Sequence, residues 1–379
     1  MERELQVSVL ATLGASEGEI DELLAYNENV FDLGLLQPET RFPLPDEPFV
    51  GFWEPLAEAA RERGAWAVLR EHLPQLSFPI REGISATESY RAATRRGVPV
   101  ETLPEATGLA LDEPESIELV LHASAAGRIP LLIARSRGAF VALIQALTKK
   151  NEPVPIPLSQ GALMVSGYIN WSRLRELRRS PDWREDFITE RRELYQDRFI
   201  LLSDGPYSAV PAADLDLDAA AWKEMSLVIR REHECAHYFT RRLFGSMRNN
   251  LLDELIADFM GITASGSFRA GWCLRFLTAR LDLYRGTPPL SDGAFRVLRD
   301  LVAAAAESLE RFDARHPASS SSAERALRIA ALATLRLEDL ASPDAEDRLA
   351  ESLTLLSPAA IISVDQKSDS GNPNPRKLS

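Results

Sequence analysis

The sequence holds five histidines, and two of them, His233 and His237, stand four residues apart with Glu234 directly after the first. Residues 231–240 read Arg-Glu-His-Glu-Cys-Ala-His-Tyr-Phe-Thr. Four-residue spacing stacks two side chains on one face of a helix. Two imidazole nitrogens are then offered to one metal ion, and Glu234, beside the first ligand, reaches a water molecule rather than the metal. Cys235 lies two residues past His233, about 200° around the helix, and is expected to point away into the core. Tyr238 projects off the metal face as well. A helix that carries two histidines by chance is the plain alternative.

A third ligand is found downstream in Asn250-Leu-Leu-Asp253-Glu254-Leu-Ile-Ala-Asp258. Glu254 and Asp258 are again four apart, so both carboxylates share a helix face. The residues around them are apolar, so these charges lie on a largely buried helix and need partners. Two histidines and a glutamate make a three-ligand site with one position left for water. A carboxylate one turn on, Asp258, would accept the spare N–H of a ligating histidine and fix its tautomer. Asp253 faces roughly 100° away and is expected to serve the helix N-terminus through its charge.

The pattern His233-Glu234-x-x-His237 followed by Glu254-x-x-x-Asp258 resembles the gluzincin branch of the zincin metallopeptidases, the group that includes thermolysin. The resemblance implies one zinc ion per chain on His233, His237 and Glu254. It implies Glu234 as the general base that moves a proton from water to the leaving amine, and Asp258 as the residue that orients a histidine. It also implies a peptide or protein substrate aligned along an edge strand. A second segment, Asp313-Ala-Arg-His316-Pro317 with Arg325 and Arg328, is similar to the His-Pro segment of the prenyl-protein endopeptidases. It nominates His316 or an arginine as the cation that stabilises the oxyanion; Tyr168 and Tyr207 are further candidates. A zinc amidase acting on a small molecule and a non-catalytic interaction protein with a zinc site are the other readings. Di-iron carboxylate chemistry would need a second Glu-x-x-His, and the nearest stand-in is Asp313-x-x-His316.

The elements that must position these groups follow from periodicity and capping. Ser16 with Glu19 three residues on marks a helix start through Leu24. Helices are expected at Trp53–Arg63, Trp66–Leu73 and from a Ser85 cap through Arg95. Alternation at Ile117–Ala123 and a short apolar run at Ile129–Ala134 predict a hairpin, with further strands at Leu163–Tyr168 and Phe199–Leu202. Charged helices are expected at Trp171–Arg179 and Trp183–Tyr195. Asp218 caps the histidine helix, which Gly245 ends; Asn250 caps the next. Helices at Ser267–Tyr284, Ser291–Phe312 and Ser321–Leu340 complete the chain, with Trp272 and Phe276 in the core. The fold class expected is α+β, mainly helical and zincin-like: a small mixed β-sheet, then the active-site helix, then a helical C-terminal half. The expected divisions are 1–110 helical, 111–210 sheet and helix, 211–360 helical and zinc-binding, and a disordered tail at 361–379.

Composition narrows the function classes. The chain has 379 residues, with 43 Lys+Arg against 56 Asp+Glu for a net charge of −13, which disfavours binding to a phosphate backbone. Two cysteines are too few for a disulfide framework and suggest a reducing compartment. No apolar stretch reaches the roughly 20 residues needed to span a bilayer; the best, Ile129–Leu147, is interrupted by Arg135 and Arg137. No nucleic acid, no membrane and a cytoplasmic location are therefore expected. Arg173–Arg184 reads as a solvated charge run, and Arg230, Arg231, Arg241 and Arg242 as surface residues around the histidine helix.

Overall fold

The computed structural model describes residues 2–37, 39–181, 183–247, 249–278, 280–317 and 321–356; the tail at 361–379 lies outside them. The chain is α+β and mainly helical, with a small four-stranded mixed sheet among the described residues. It divides into two units, Pro45–Glu234, and Met1–Leu44 together with Cys235–Ser379. The first 44 residues thus group with the C-terminal part, and residues 45–110 with the sheet. The division falls inside one continuous helix, which belongs to both.

In chain order the elements are α1 (Glu2–Thr12), α2 (Glu17–Tyr26), α3 (Val50–Arg63), α4 (Ala65–His72), α5 (Glu88–Arg96), β1 (Ile117–Ser124), β2 (Gly127–Ala134), α6 (Arg137–Thr148), β3 (Ala162–Ile169), α7 (Trp171–Arg179), α8 (Phe187–Glu190), β4 (Gln196–Ser203), α9 (Ala219–Phe244), α10 (Asn250–Ser265), α11 (Ala270–Thr278), α12 (Asp292–Arg315), α13 (Ser322–Ala333), α14 (Leu337–Leu340) and α15 (Ala345–Leu356).

In the sheet unit the strand order is β1-β2-β4-β3. β1 and β2 form the expected antiparallel hairpin, β2 runs parallel to β4 with Leu131 opposite Ile200, and β3 is antiparallel to β4. Phe199, Ile200, Leu201 and Leu202 are all fully buried. Successive side chains leave opposite faces of a strand, so both faces of the central strands are covered. Helix α3 packs on β1 and β2, and α6 on β2, β3 and β4. β4 is therefore interior, and β3 keeps a sheet edge. Its pairing shifts between Ser166 and Tyr168, where Gly167 takes φ 73°, a left-handed value suited to a bulge.

Part of the charge run is buried. Arg173 pairs with Asp197, which also accepts from Trp53 Nε1 (2.8 Å) and Asn170 Nδ2 (2.6 Å). Burial nevertheless pushes the Asp197 carboxyl upward. The helix expected over Trp183–Tyr195 is only the single turn α8 and a 3-10 turn, Arg192–Leu194. Its apolar residues are too sparse for a helical stripe, and Tyr195 instead returns to a cluster with Trp171 and Leu174. The cap of α5 is Thr87, whose hydroxyl accepts from Tyr90 N, rather than Ser85.

In the other unit α10 packs against α11, α12 and α13, and α12 against α2, α11, α14 and α15. Glu19 Oε2 accepts from Ser16 N at 2.7 Å, the expected capping contact of α2. The N-cap of α10 is Asn249, one residue before the expected position; its side chain bonds Asn29 and Val30. The helix expected to Leu340 ends at Ala333. It restarts where Asp339 Oδ2 accepts from Arg336 N at 2.9 Å. Trp272 and Phe276 are buried as expected.

Candidate metal centre

Helix α9 begins at the expected cap: Asp218 Oδ1 accepts from Ala220 N (2.9 Å) and Ala221 N (3.1 Å). Trp222, Ser226 and Arg230 then follow at four-residue intervals on one face, and the loop 203–210 lies along them. Trp222 Nε1 donates to the Val210 carbonyl (2.8 Å), and Ser226 Oγ accepts from Tyr207 N (3.0 Å). Arg230 donates to the carbonyls of Ser203 (2.5 Å), Gly205 (2.9 Å) and Pro206 (3.1 Å). One turn on, His233 Nδ1 meets the Tyr207 hydroxyl at 2.8 Å.

Arg230 is thus not a surface residue: it is 3 % exposed. Burial pulls it down to about 10, so it remains a cation at neutral pH. Gly161 makes room for it, since a Cβ there would stand 2.5 Å from Arg230 Nε. Ser208 (φ 49°) and Ala209 (φ 59°) follow Tyr207 in left-handed conformation, a strain on the order of 1–2 kcal/mol per residue that the anchors to α9 offset.

His237, one turn beyond His233, is gripped by α10 on both ring edges. Its Nδ1 lies 2.8 Å from Asp253 Oδ2, and its Nε2 lies 3.7 Å from Glu254 Oε1. Asp253 Oδ1 also accepts from Thr240 Oγ1 at 3.2 Å. Glu254 Oε2 takes Arg280 Nη1 at 3.2 Å, and Arg280 Nη2 reaches Asp258 Oδ2 at 3.5 Å. Tyr284 bonds Glu254 as well, and burial first, then that carboxylate, pushes its hydroxyl upward. The carboxylate at His237 Nδ1 is therefore Asp253 rather than Asp258. Asp258 is fully buried and set against Arg280.

The structure brings His233, His237 and Glu254 together: one donor atom of each lies within 4.8 Å of the others. Both histidines are buried and Glu254 nearly so. Ligand atoms about 2.0–2.2 Å from a zinc-sized ion stand roughly 3.3 Å apart in tetrahedral geometry. The 3.7 Å between His237 and Glu254 is within reach of that by side-chain rotation alone. Around the histidines, Glu254 and Asp258 share the guanidinium of Arg280, and Asp253 lies against His237. Glu234 is half-buried and takes no hydrogen bond or ion pair among the described residues. The arrangement can hold a divalent metal on two nitrogens and one oxygen, with the Glu234 carboxylate next to the first histidine on the same helix.

The other nominated residues are elsewhere occupied. His316 ends α12, exposed, with its ring stacked on Phe312 (centroids 4.9 Å apart) and its carbonyl accepting from Arg328; it makes no contact with the histidine pair. Arg328 is buried beside Asp313 and Glu324, and Asp313 Oδ2 accepts from Phe268 N at 2.8 Å. Tyr168 is buried, with its hydroxyl on Gln75 Oε1 at 2.8 Å. Two contacts go beyond the sequence expectations: Asp253 against His237, and Arg230 anchoring the loop that carries Tyr207. His237 and Thr240, three apart on α9, together with the adjacent pair Asp253-Glu254, were the available signal for the first.

No helix among the described residues is long and apolar enough to cross a membrane; Ile129–Leu147 is the end of β2 and α6. Comparison with curated proteins and with solved structures gives no match. A family model matches residues 8–344, so the chain belongs to DUF7005, a family of unknown function.

Proposed function

We propose that the protein is a zinc-dependent hydrolase, a metallopeptidase that cleaves peptide bonds in a peptide or protein substrate. The observation that carries this reading is the convergence of His233, His237 and Glu254 on one point, with donor atoms within 4.8 Å of one another. Two imidazoles and one carboxylate are a catalytic rather than a structural zinc set, because three protein ligands leave a position open. The ion supplies Lewis acidity and lowers the pKa of water toward neutrality.

The chain's own residues supply the rest. Tyr207 bonds the outer nitrogen of His233, and the Asp253 carboxylate lies beside the outer nitrogen of His237, placed to orient that ring. Arg280 holds Glu254 by Oε2, which leaves Oε1 toward His237. Glu234, next to His233 and without a hydrogen bond among the described residues, accepts a proton from water and delivers it to the leaving amine. Cys235 and Cys273, both buried and neither in a disulfide, support a reducing, cytoplasmic setting.

The test is zinc analysis and peptide-library hydrolysis on the purified protein, His233→Ala and Glu234→Gln. The reading expects His233→Ala to hold one zinc fewer per chain than the parent. It expects Glu234→Gln to keep the parent's zinc while hydrolysis falls on the order of 10²–10⁴-fold. Unchanged hydrolysis by Glu234→Gln removes the base assignment, and zinc binding without hydrolysis of any peptide by the parent removes the peptidase.

A further inference from the structure

Helix α9 carries a second group of donors, about 150° around from the histidine face, that the hydrolase reading does not use. His122 on β1 places Nε2 3.0 Å from Oε1 of Glu232, and both lie in the Pro45–Glu234 unit. Cys235 follows Glu232 by three residues on the same continuous helix, so the two side chains share a face. One donor atom from each of His122, Glu232 and Cys235 lies within 4.8 Å of the other two.

Glu232 is 5 % exposed and Cys235 is 3 % exposed. Burying a carboxylate demands compensation. The imidazole of His122 and Arg231 Nε, which reaches the same oxygen at 2.8 Å, give part of it. The buried thiol of Cys235 adds a soft donor to the same group. A metal ion accounts for all three donors.

We propose that His122, Glu232 and Cys235 form a second metal site, for a borderline-soft divalent ion such as zinc or cobalt(II). Thiolate and imidazole select such ions over magnesium or calcium. Bond lengths of about 2.0–2.2 Å to nitrogen and oxygen and about 2.3 Å to sulfur require donors roughly 3.3–3.6 Å apart, which small rotations from the present positions reach. Cys235 binds as thiolate, its proton passing to solvent. Thiolate and carboxylate together then balance the charge of the ion, so the buried complex is neutral. With three protein donors the fourth position belongs to solvent or a small ligand, which makes the ion exchangeable. Bound there, it would tie β1 to the helix that bears Glu234 and His237.

Cobalt(II) titration of the full chain tests this independently of hydrolysis, because thiolate-to-cobalt charge transfer gives a near-ultraviolet band that histidine and carboxylate ligands do not. The proposal expects that band in the parent and in His233→Ala. It expects Cys235→Ala and Cys235→Ser to lose the band and bind one cobalt fewer per chain, and His122→Ala to weaken the band, with circular dichroism showing each variant folded. Cobalt binding by the parent without the band overturns the site, and so does a band that survives both substitutions at Cys235. Loss of the band in His233→Ala would place the thiol's metal at the hydrolase centre and also overturn it.

Discussion

Asp253 Oδ2 lies 2.8 Å from His237 Nδ1, while Glu254 Oε1 lies 3.7 Å from Nε2 of the same ring. Adjacent residues of α10 therefore address opposite edges of one imidazole on α9. In the proposed zinc site Asp253 would orient the ring, while Asp258 pairs with Arg280. Asp253→Asn is expected to weaken zinc affinity about 10–100-fold with the fold retained. Asp258→Asn is expected to lower the melting temperature and change affinity little. Competition with a chelator of known affinity measures both, and a larger affinity loss in Asp258→Asn would return the orienting role to that residue.

The Tyr207 hydroxyl at His233 Nδ1 is the matching contact on the other ligand. Tyr207→Phe keeps the ring packing and removes only the hydroxyl. Its expected effect is again about 10–100-fold on zinc affinity, with an unfolding midpoint close to the parent's. Parent-like affinity in this variant would show that the tyrosine merely packs.

Gly161 tests the path from Arg230 to Tyr207. A methyl there would press on a guanidinium buried on three carbonyls, and overpacking of this kind typically costs about 1–3 kcal/mol. Gly161→Ala should lower both the melting temperature and zinc affinity, although residue 161 contributes no ligand. A destabilised variant with unchanged zinc affinity would separate the arginine from the site.

Away from the centre, Glu338 is fully buried, with Oε1 accepting from Asn27 Nδ2 at 2.7 Å. Burial pushes its carboxyl up to about 7 from an ordinary 4.5. The folded chain therefore holds a proton that the unfolded chain has released. Stability from this group is fullest below pH 4.5, falls as pH rises toward 7, and stays low above it. The shift corresponds to roughly 3 kcal/mol. Urea unfolding of the parent at pH 5 and pH 8 is expected to show the drop, and Glu338→Gln to flatten it and to be the more stable at pH 8. Parallel profiles for the two proteins would contradict this.

The legible parts of the sequence were those whose signal is local. The four strands announce themselves by alternation or by short apolar runs, and α9 by the cap at Asp218 and the stop at Gly245. The pairing of His233 with His237 needs only helical geometry. Asp253 sits in the first turn of α10 as expected, and because that place alone accounts for an acidic residue, its contact with His237 leaves no separate signal at that position. The opposing ring edge of His237 exists only once two helices cross. Arg230 was read as surface because its three partners are backbone carbonyls of a loop some 25 residues earlier, which leave no trace in residue type. His316 matched a motif, yet its ring is taken by Phe312.

The most direct test is anomalous diffraction at the zinc absorption edge from crystals of the zinc-loaded protein. The account predicts a peak within bonding distance of a nitrogen of His233, a nitrogen of His237 and Oε1 of Glu254. Zinc-loaded crystals with no peak among those three atoms would contradict it.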